Sequence, residues 1–164
     1  MKGGIFFFFF DNIEEVSDKF SAMVFRLAFA RVNNSHDAND ILQEVFIKYI
    51  RYKDTIKDDY HLKAWLIRTT INCSKTLLNS AWFRKTVALE DNTVYELKQK
   101  SEVYYKVMEL PQKYRTVVHL YYYEDLSVLE ISKILKCKES TIKSQLFRAR
   151  DMLRKMLRGV DIDV

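Results

Sequence analysis

Residues 126–157, LSVLEISKILKCKESTIKSQLFRARDMLRKML, decide how the carboxy-terminal part of this chain folds. Ser127 followed by Glu130 is a capping box: the hydroxyl accepts from the third helical N–H, and the carboxylate reaches back to the serine N–H. Ile131, Ile134 and Leu135 then fall on one helical stripe. Lys136-Cys137-Lys138 breaks the stripe, with Cys137 turned inward as a small apolar residue. Beyond the break, Ile142, Leu146, Ala149, Leu153 and Met156 recur at i, i+4, i+7, i+11 and i+14. The pattern predicts two short helices around a tight turn, a helix-turn-helix.

The second of these helices is strongly basic. From Lys138 to Arg158 there are seven basic residues against Glu139 and Asp151, a net +5, which equals the net charge of the whole 164-residue chain. Such a local excess attracts a phosphate backbone. Opposite the apolar stripe stand Thr141, Ser144, Gln145 and Arg148, short polar groups near a helix start followed by an arginine. Such side chains suit a helix whose first turns enter the major groove and read base edges, while Lys143 and Arg150 flank them and favour phosphate. A solvated amphipathic helix that happens to be basic is the plainer alternative. The capped helix and turn before it favour DNA.

The longer stretch from Leu110 to Leu157 resembles the carboxy-terminal domain of bacterial sigma factors of the extracytoplasmic-function group, within the sigma-70 family. The resemblance is carried by Leu110-Pro111, Arg115, the aromatic run Tyr121 to Tyr123, Leu126-Ser127 and Glu130-Ile131. Thr141-Ile142-Lys143-Ser144 and Arg148-Ala149-Arg150 complete it. The chain departs from the family pattern at Lys136 and Ser140, where glycine is common, and at Gln145, where arginine is frequent. Since Gln145 lies on the proposed reading face, no base preference transfers.

The amino-terminal half carries a second part of the resemblance. Residues 36–46, HDANDILQEVF, are similar to the family's acidic Gln-Glu signature. They read as an amphipathic helix with Ser35 as its cap and Ala38, Ile41, Leu42, Val45, Phe46 and Tyr49 as its buried stripe. Asp37, Asp40, Gln43 and Glu44 project from the other side. The resemblance implies that this face docks on the clamp helices of the largest subunit of core RNA polymerase. Read alone, it is better taken as an ordinary solvated face with acids at a helix start, where the macrodipole favours them. Only the DNA-binding domain downstream tips the reading toward docking.

Residues 65–72, WLIRTTIN, continue the match. Leu62, Trp65, Leu66, Thr69, Cys73 and Leu77 hold helical spacing, so Trp65 reads as core rather than as a stacking platform. Arg68, Asn72, Lys75 and Asn79 lie on or near the open side, which in relatives meets the −10 element and its unpaired strand. Thr76 and Asn79 replace a frequent Asp and Arg. The segment Lys53 to His61 corresponds to one that captures an extruded base in some relatives, although its residues here predict no particular base. Trp82-Phe83-Arg84-Lys85 brings aromatics and cations together, either for a nucleic-acid contact or for packing on its own domain.

Composition agrees with an all-α protein. Three glycines and one proline leave few hairpin signals, and 48% hydrophobic residues suffice for helical cores. Val16, Phe20, Met23, Val24 and Leu27 form the stripe of an opening helix. Residues 84–102 lose the apolar period and read as a polar linker. The expected organisation is therefore an atypical Phe-rich segment (1–10), a region-2-like helical domain (11–83), the linker (84–102) and a region-4-like helix-turn-helix domain (103–160). Six apolar residues from Ile5 to Phe10 are too few to span a membrane, and no cleavage site follows. That run reads as a start-site artefact or a sticky partner segment, and it is an aggregation liability.

Catalysis finds little support. Cys73 and Cys137 lack the paired spacing of a zinc site, and His36, His61 and His119 are scattered. No catalytic residue, metal, cofactor or small-molecule substrate is expected, and two cysteines suit a reducing cytoplasm. The resemblance implies a sigma factor whose partners are core RNA polymerase and promoter DNA, read at the −10 and −35 elements. An anti-sigma factor is a further partner it admits. Two other readings stay open: a helix-turn-helix regulator that never joins polymerase, and a sigma-like decoy that occupies polymerase or an inhibitor without directing transcription.

Overall fold

The computed structural model describes residues 13–84 and 101–158, and among them every element is helical. The order is α1 (Ile13–Val32), α2 (Ser35–Tyr52), a 3₁₀ turn (Lys53–Thr55), α3 (Asp59–Arg84), α4 (Glu102–Glu109), α5 (Gln112–Val118), a π-helical turn (His119–Tyr123), α6 (Val128–Leu135) and α7 (Glu139–Arg158). The described residues divide into two compact units. One holds the chain up to Phe29 and from His36 through α3, and the other holds Ala30–Ser35 with everything from α4 onward.

In the first unit the predicted stripe of α1 is core throughout, whereas Leu42 and Phe46 of α2 and Trp65, Thr69 and Leu77 of α3 are only half-buried. Ile67 and Ile71 of α3 are buried although they lie outside the predicted stripe. Val16, Phe20, Met23, Val24 and Leu27 of α1 are buried, as are Ala38, Ile41, Val45 and Tyr49 of α2. From α3 come Leu62, Leu66, Ile67, Ile71 and Cys73. Burying each large side chain contributes ~1.5–3 kcal/mol over leaving it in water. Trp65 is half-buried and meets Tyr49 edge-on at 6.4 Å, with Tyr52 tilted against it at 6.3 Å. Asn33 takes the left-handed conformation (φ 53) just past α1, which Asn tolerates better than most residues. Ser35 is the first residue of α2 rather than the residue preceding it.

The second unit is built around α7, which packs on α4, α5 and α6. Ile142, Leu146 and Ala149 are its buried positions, and Leu153 and Met156 cover Val107, Leu110 and Val118. The capping box forms: Ser127 N donates to Glu130 Oε2 at 2.7 Å, and Glu130 N donates to Ser127 Oγ at 3.2 Å. Ser101 caps α4 by accepting from Tyr104 N. Lys136 closes α6 in the left-handed region (φ 54, ψ 46), so the turn needs a conformation that glycine supplies without strain.

Arg115 binds the turn between α4 and α5. Its guanidinium donates to Met108 O at 2.7 Å, to Leu110 O, to Arg31 O at 3.2 Å and to Ala30 O. Arg31 is itself buried and donates to Thr116 Oγ1 at 2.8 Å; burial first, then the Arg115 charge, pulls its pKa down to about 10. The aromatic run does not extend α5 as a regular helix. Residues 119–123 form a π turn, closed by Glu124 N donating to His119 O at 3.2 Å and followed by Asp125 at φ 54. Inside it, buried His119 is hydrogen-bonded to buried Glu124 at 3.1 Å and stacks on Tyr123 at 5.3 Å.

Candidate nucleic-acid interface

Helix α7 presents Thr141, Lys143, Ser144 and Arg148 to solvent, with Gln145 half-buried beside them. Burial of Ile142, Leu146 and Ala149 forces this arrangement, because helical spacing then turns the remaining positions outward. Thr141, Ser144, Gln145 and Arg148 line one recess of about 270 Å³, together with Lys113 and Tyr114 of α5. The structure thus brings four of the six expected α7 residues together. Lys143 lies off the recess. Arg150 lies off it too, its Nε donating to Tyr122 Oη at 2.7 Å.

Two features of this surface escaped the sequence reading. Lys113 and Tyr114 sit 31 and 30 residues before Ser144, and only the packing of α5 on α7 brings them to the recess. Phe147 is 71% exposed, an unusual position for a phenylalanine, one helical turn from Lys143. Its place was readable as the gap between Leu146 and Ala149 in the apolar stripe.

In the first unit, Asp40, Gln43 and Glu44 stand exposed along α2, with Asp37 half-buried. Lys48 pairs with Glu44 at 2.8 Å and donates to Cys73 Sγ at 3.4 Å. The Lys48 hydrogen bond holds the Glu44 carboxyl below the usual carboxylate range. Burial pushes the Cys73 thiol up, which disfavours the thiolate a nucleophile or metal site needs. His36 pairs with Asp40 at 3.4 Å and Asp37 at 4.0 Å, and ligand atoms of the three lie within 4.8 Å of one another. Exposed acids at a helix start take that spacing without an ion.

On α3, Asn72, Lys75 and Asn79 are exposed and Arg68 is half-buried, its Nε buried with no hydrogen-bond partner. The segment before α3 is pinned: Ile56 is buried, Asp58 Oδ1 accepts from His61 N at 2.7 Å, and Lys19 pairs with Asp59 at 2.7 Å. The side chains of Trp82, Phe83 and Arg84 and all of Lys85 lie outside the described residues, as do residues 1–10 and 85–100. Among the described residues no helix is long and apolar enough to cross a membrane.

This pair of helical units matches known sequences along both parts. Residues 18–84 match Sigma-70 region 2, and residues 101–153 match Sigma-70, region 4. The ECF RNA polymerase sigma factor SigM of Bacillus subtilis is 31% identical over 164 residues, covering 92% of this chain and 98% of the relative. The chain belongs to the extracytoplasmic-function group of sigma-70 factors. Other members of the group are similar over comparable lengths. SigW of Bacillus subtilis is 28% identical across 92% of this chain and 91% of its own. SigV of the same organism is 30% identical across 84% and 86%. The sigma factor fold is also found in the RpoE of Bartonella quintana solved with the anti-sigma factor NepR (TM-score 0.75, 19% identity, 92% of this chain and 98% of that one).

Proposed function

We propose that this sigma factor divides its work between its two units. The α2 face of Asp37, Asp40, Gln43 and Glu44 docks on the clamp helices of core RNA polymerase. Arg68, Asn72, Lys75 and Asn79 of α3 meet the −10 element, cations holding the backbone beside unpaired bases. Thr141, Ser144, Gln145 and Arg148 of α7 read the −35 duplex, with Lys143 and Arg150 toward its phosphates. Isolated modules with few base contacts bind weakly, and tethering both to one polymerase raises their effective concentration.

The observation that supports this reading best is the coexistence, in one chain, of an anionic α2 face and an exposed, polar and basic α7 face, each on its own compact unit. A regulator that never joins polymerase has no use for the first. The protein performs no chemistry itself and acts in the cytoplasm, where an anti-sigma factor is a further partner.

Run-off transcription with purified core polymerase on a library of genomic fragments tests the assignment. Discrete transcripts that depend on the protein are expected. Polymerase binding without any transcript instead indicates a decoy, and DNA binding without polymerase binding indicates a free regulator.

A further inference from the structure

The recess beside α7 is lined from two helices and is polar and cationic on both sides. Lys113 and Arg148 bring two positive charges to it, and Tyr114, Ser140, Thr141 and Ser144 bring hydroxyls. No carboxylate is among the described residues that line it. The Tyr114 ring is fixed from below, packed against the cluster of Val107, Leu110, Val118 and Ala149. Above, Lys113 Nζ lies 4.9 Å from the ring centroid. Tyr114 and Arg148 line the same recess from two packed helices, and the phenol is held below its ordinary pKa first by Arg148 and then by Lys113. A long arginine on an exposed helix face loses rotamer freedom when it reads a base, so a rigid aromatic that steers it beforehand lowers that cost.

We propose that α5 belongs to the DNA-binding surface: Tyr114 positions the Arg148 guanidinium, and Lys113 holds a backbone phosphate of the duplex that α7 enters. The inference rests on the reading of α7 as the duplex-reading helix. Tyr114 is a positioning residue, acting through Arg148, whereas Lys113 is a direct phosphate contact outside the helix-turn-helix. A phosphate at Lys113 meets a cation and neighbouring hydroxyl donors, and no carboxylate is among the described residues that line the recess. Because phosphate contacts fix register and base contacts specify, the two residues have separable signatures.

The experiment uses holoenzyme and duplex promoter carrying every single base-pair change across the −35 element, with the promoter taken from the run-off products. Tyr114→Phe keeps the ring that fills the core and removes only the hydroxyl. It is expected to reduce discrimination roughly five- to tenfold at the base pair where Arg148→Ala also reduces it. Combined with Arg148→Ala it is expected to add nothing there. Lys113→Ala is expected to weaken binding to all variants alike and to lower the salt slope by about one, with Lys113→Arg restoring it.

A uniform loss in Tyr114→Phe, or none, overturns the positioning role, and an unchanged salt slope in Lys113→Ala overturns the phosphate contact. If wild-type holoenzyme itself shows no −35 discrimination, the reading of α7 fails, and with it the inference.

Discussion

Arg150 Nε donates to the Tyr122 hydroxyl at 2.7 Å, and the guanidinium carbon lies 5.8 and 5.7 Å from the ring centroids of Tyr121 and Tyr122. Two adjacent tyrosines of the π turn thus hold an arginine of α7 that is 28 residues away. Each cation–π contact at an exposed site contributes ~0.5–1 kcal/mol, and the hydrogen bond a similar amount. Arg150→Ala is therefore expected to lower unfolding free energy by about 1–2 kcal/mol in urea titrations. Arg148→Ala, exposed and away from the core, should shift it by under ~0.5 kcal/mol. If the two variants unfold alike, the tyrosines do not fasten Arg150.

The buried His119–Glu124 pair sets the shape of the same turn. Both side chains are about 5% exposed and meet at 3.1 Å. Glu124→Ala leaves a buried imidazole nitrogen short of a partner, at a cost of ~1–3 kcal/mol. The expected result is a lower melting temperature, together with slower electrophoretic mobility or raised dye binding if the turn opens. Glu124→Gln, which keeps an acceptor in place, should recover most of the loss.

Lys136 offers a stabilising change. It ends α6 at φ 54, where a side chain crowds the backbone by roughly 1–2 kcal/mol and glycine does not. Part of that gain is lost to the freer unfolded chain of glycine. Lys136→Gly should raise the urea midpoint by the equivalent of about 0.5–1 kcal/mol, and Lys136→Val should lower it by more. Equal midpoints for the three proteins would mean that the turn relaxes out of the left-handed region.

Charge reversal on α2 separates docking from DNA binding. Asp40 and Glu44 are exposed, so Asp40→Lys with Glu44→Lys should leave the fold intact. The double reversal also breaks the 2.8 Å pair with Lys48, an exposed pair of little energetic weight. Co-purification with core polymerase is expected to be abolished, while far-ultraviolet circular dichroism stays unchanged. Normal co-purification places the polymerase contact elsewhere.

What the sequence disclosed and what it withheld divide along one physical line. Stripes and caps are local, so the capping box at Ser127 and Glu130 and the buried faces of α1, α7 and most of α2 were readable from spacing alone. On α3 the buried Ile67 and Ile71, outside the stripe that spacing marked, were not, because that helix is apolar on more than one face. The π turn was not, because His119 to Tyr123 keep an apolar, helix-compatible composition while the backbone inserts an extra residue per turn. Nor was the approach of Lys113 and Tyr114 to Arg148, which depends on how α5 packs on α7. Likewise, the reach of Lys48 from Glu44 on its own helix to Cys73 on the next is a tertiary fact.

Phe147 carries the last prediction. It is 71% exposed on α7, so truncating it removes no core contact and should leave stability within ~0.5 kcal/mol. On the proposed entry of α7 into the major groove, a water-facing phenylalanine has an apolar counterpart there, the methyl group of thymine. Phe147→Ser is accordingly expected to weaken holoenzyme binding about three- to tenfold at promoters with a thymine under this position, with little effect elsewhere. Deoxyuridine in place of that thymine removes only the methyl and should weaken wild-type protein by a similar factor, while Phe147→Ser becomes indifferent to the change. If the variant loses affinity equally for thymine and deoxyuridine duplexes, the ring contacts sugar rather than base. If it loses none, the exposed ring serves a protein partner instead of DNA.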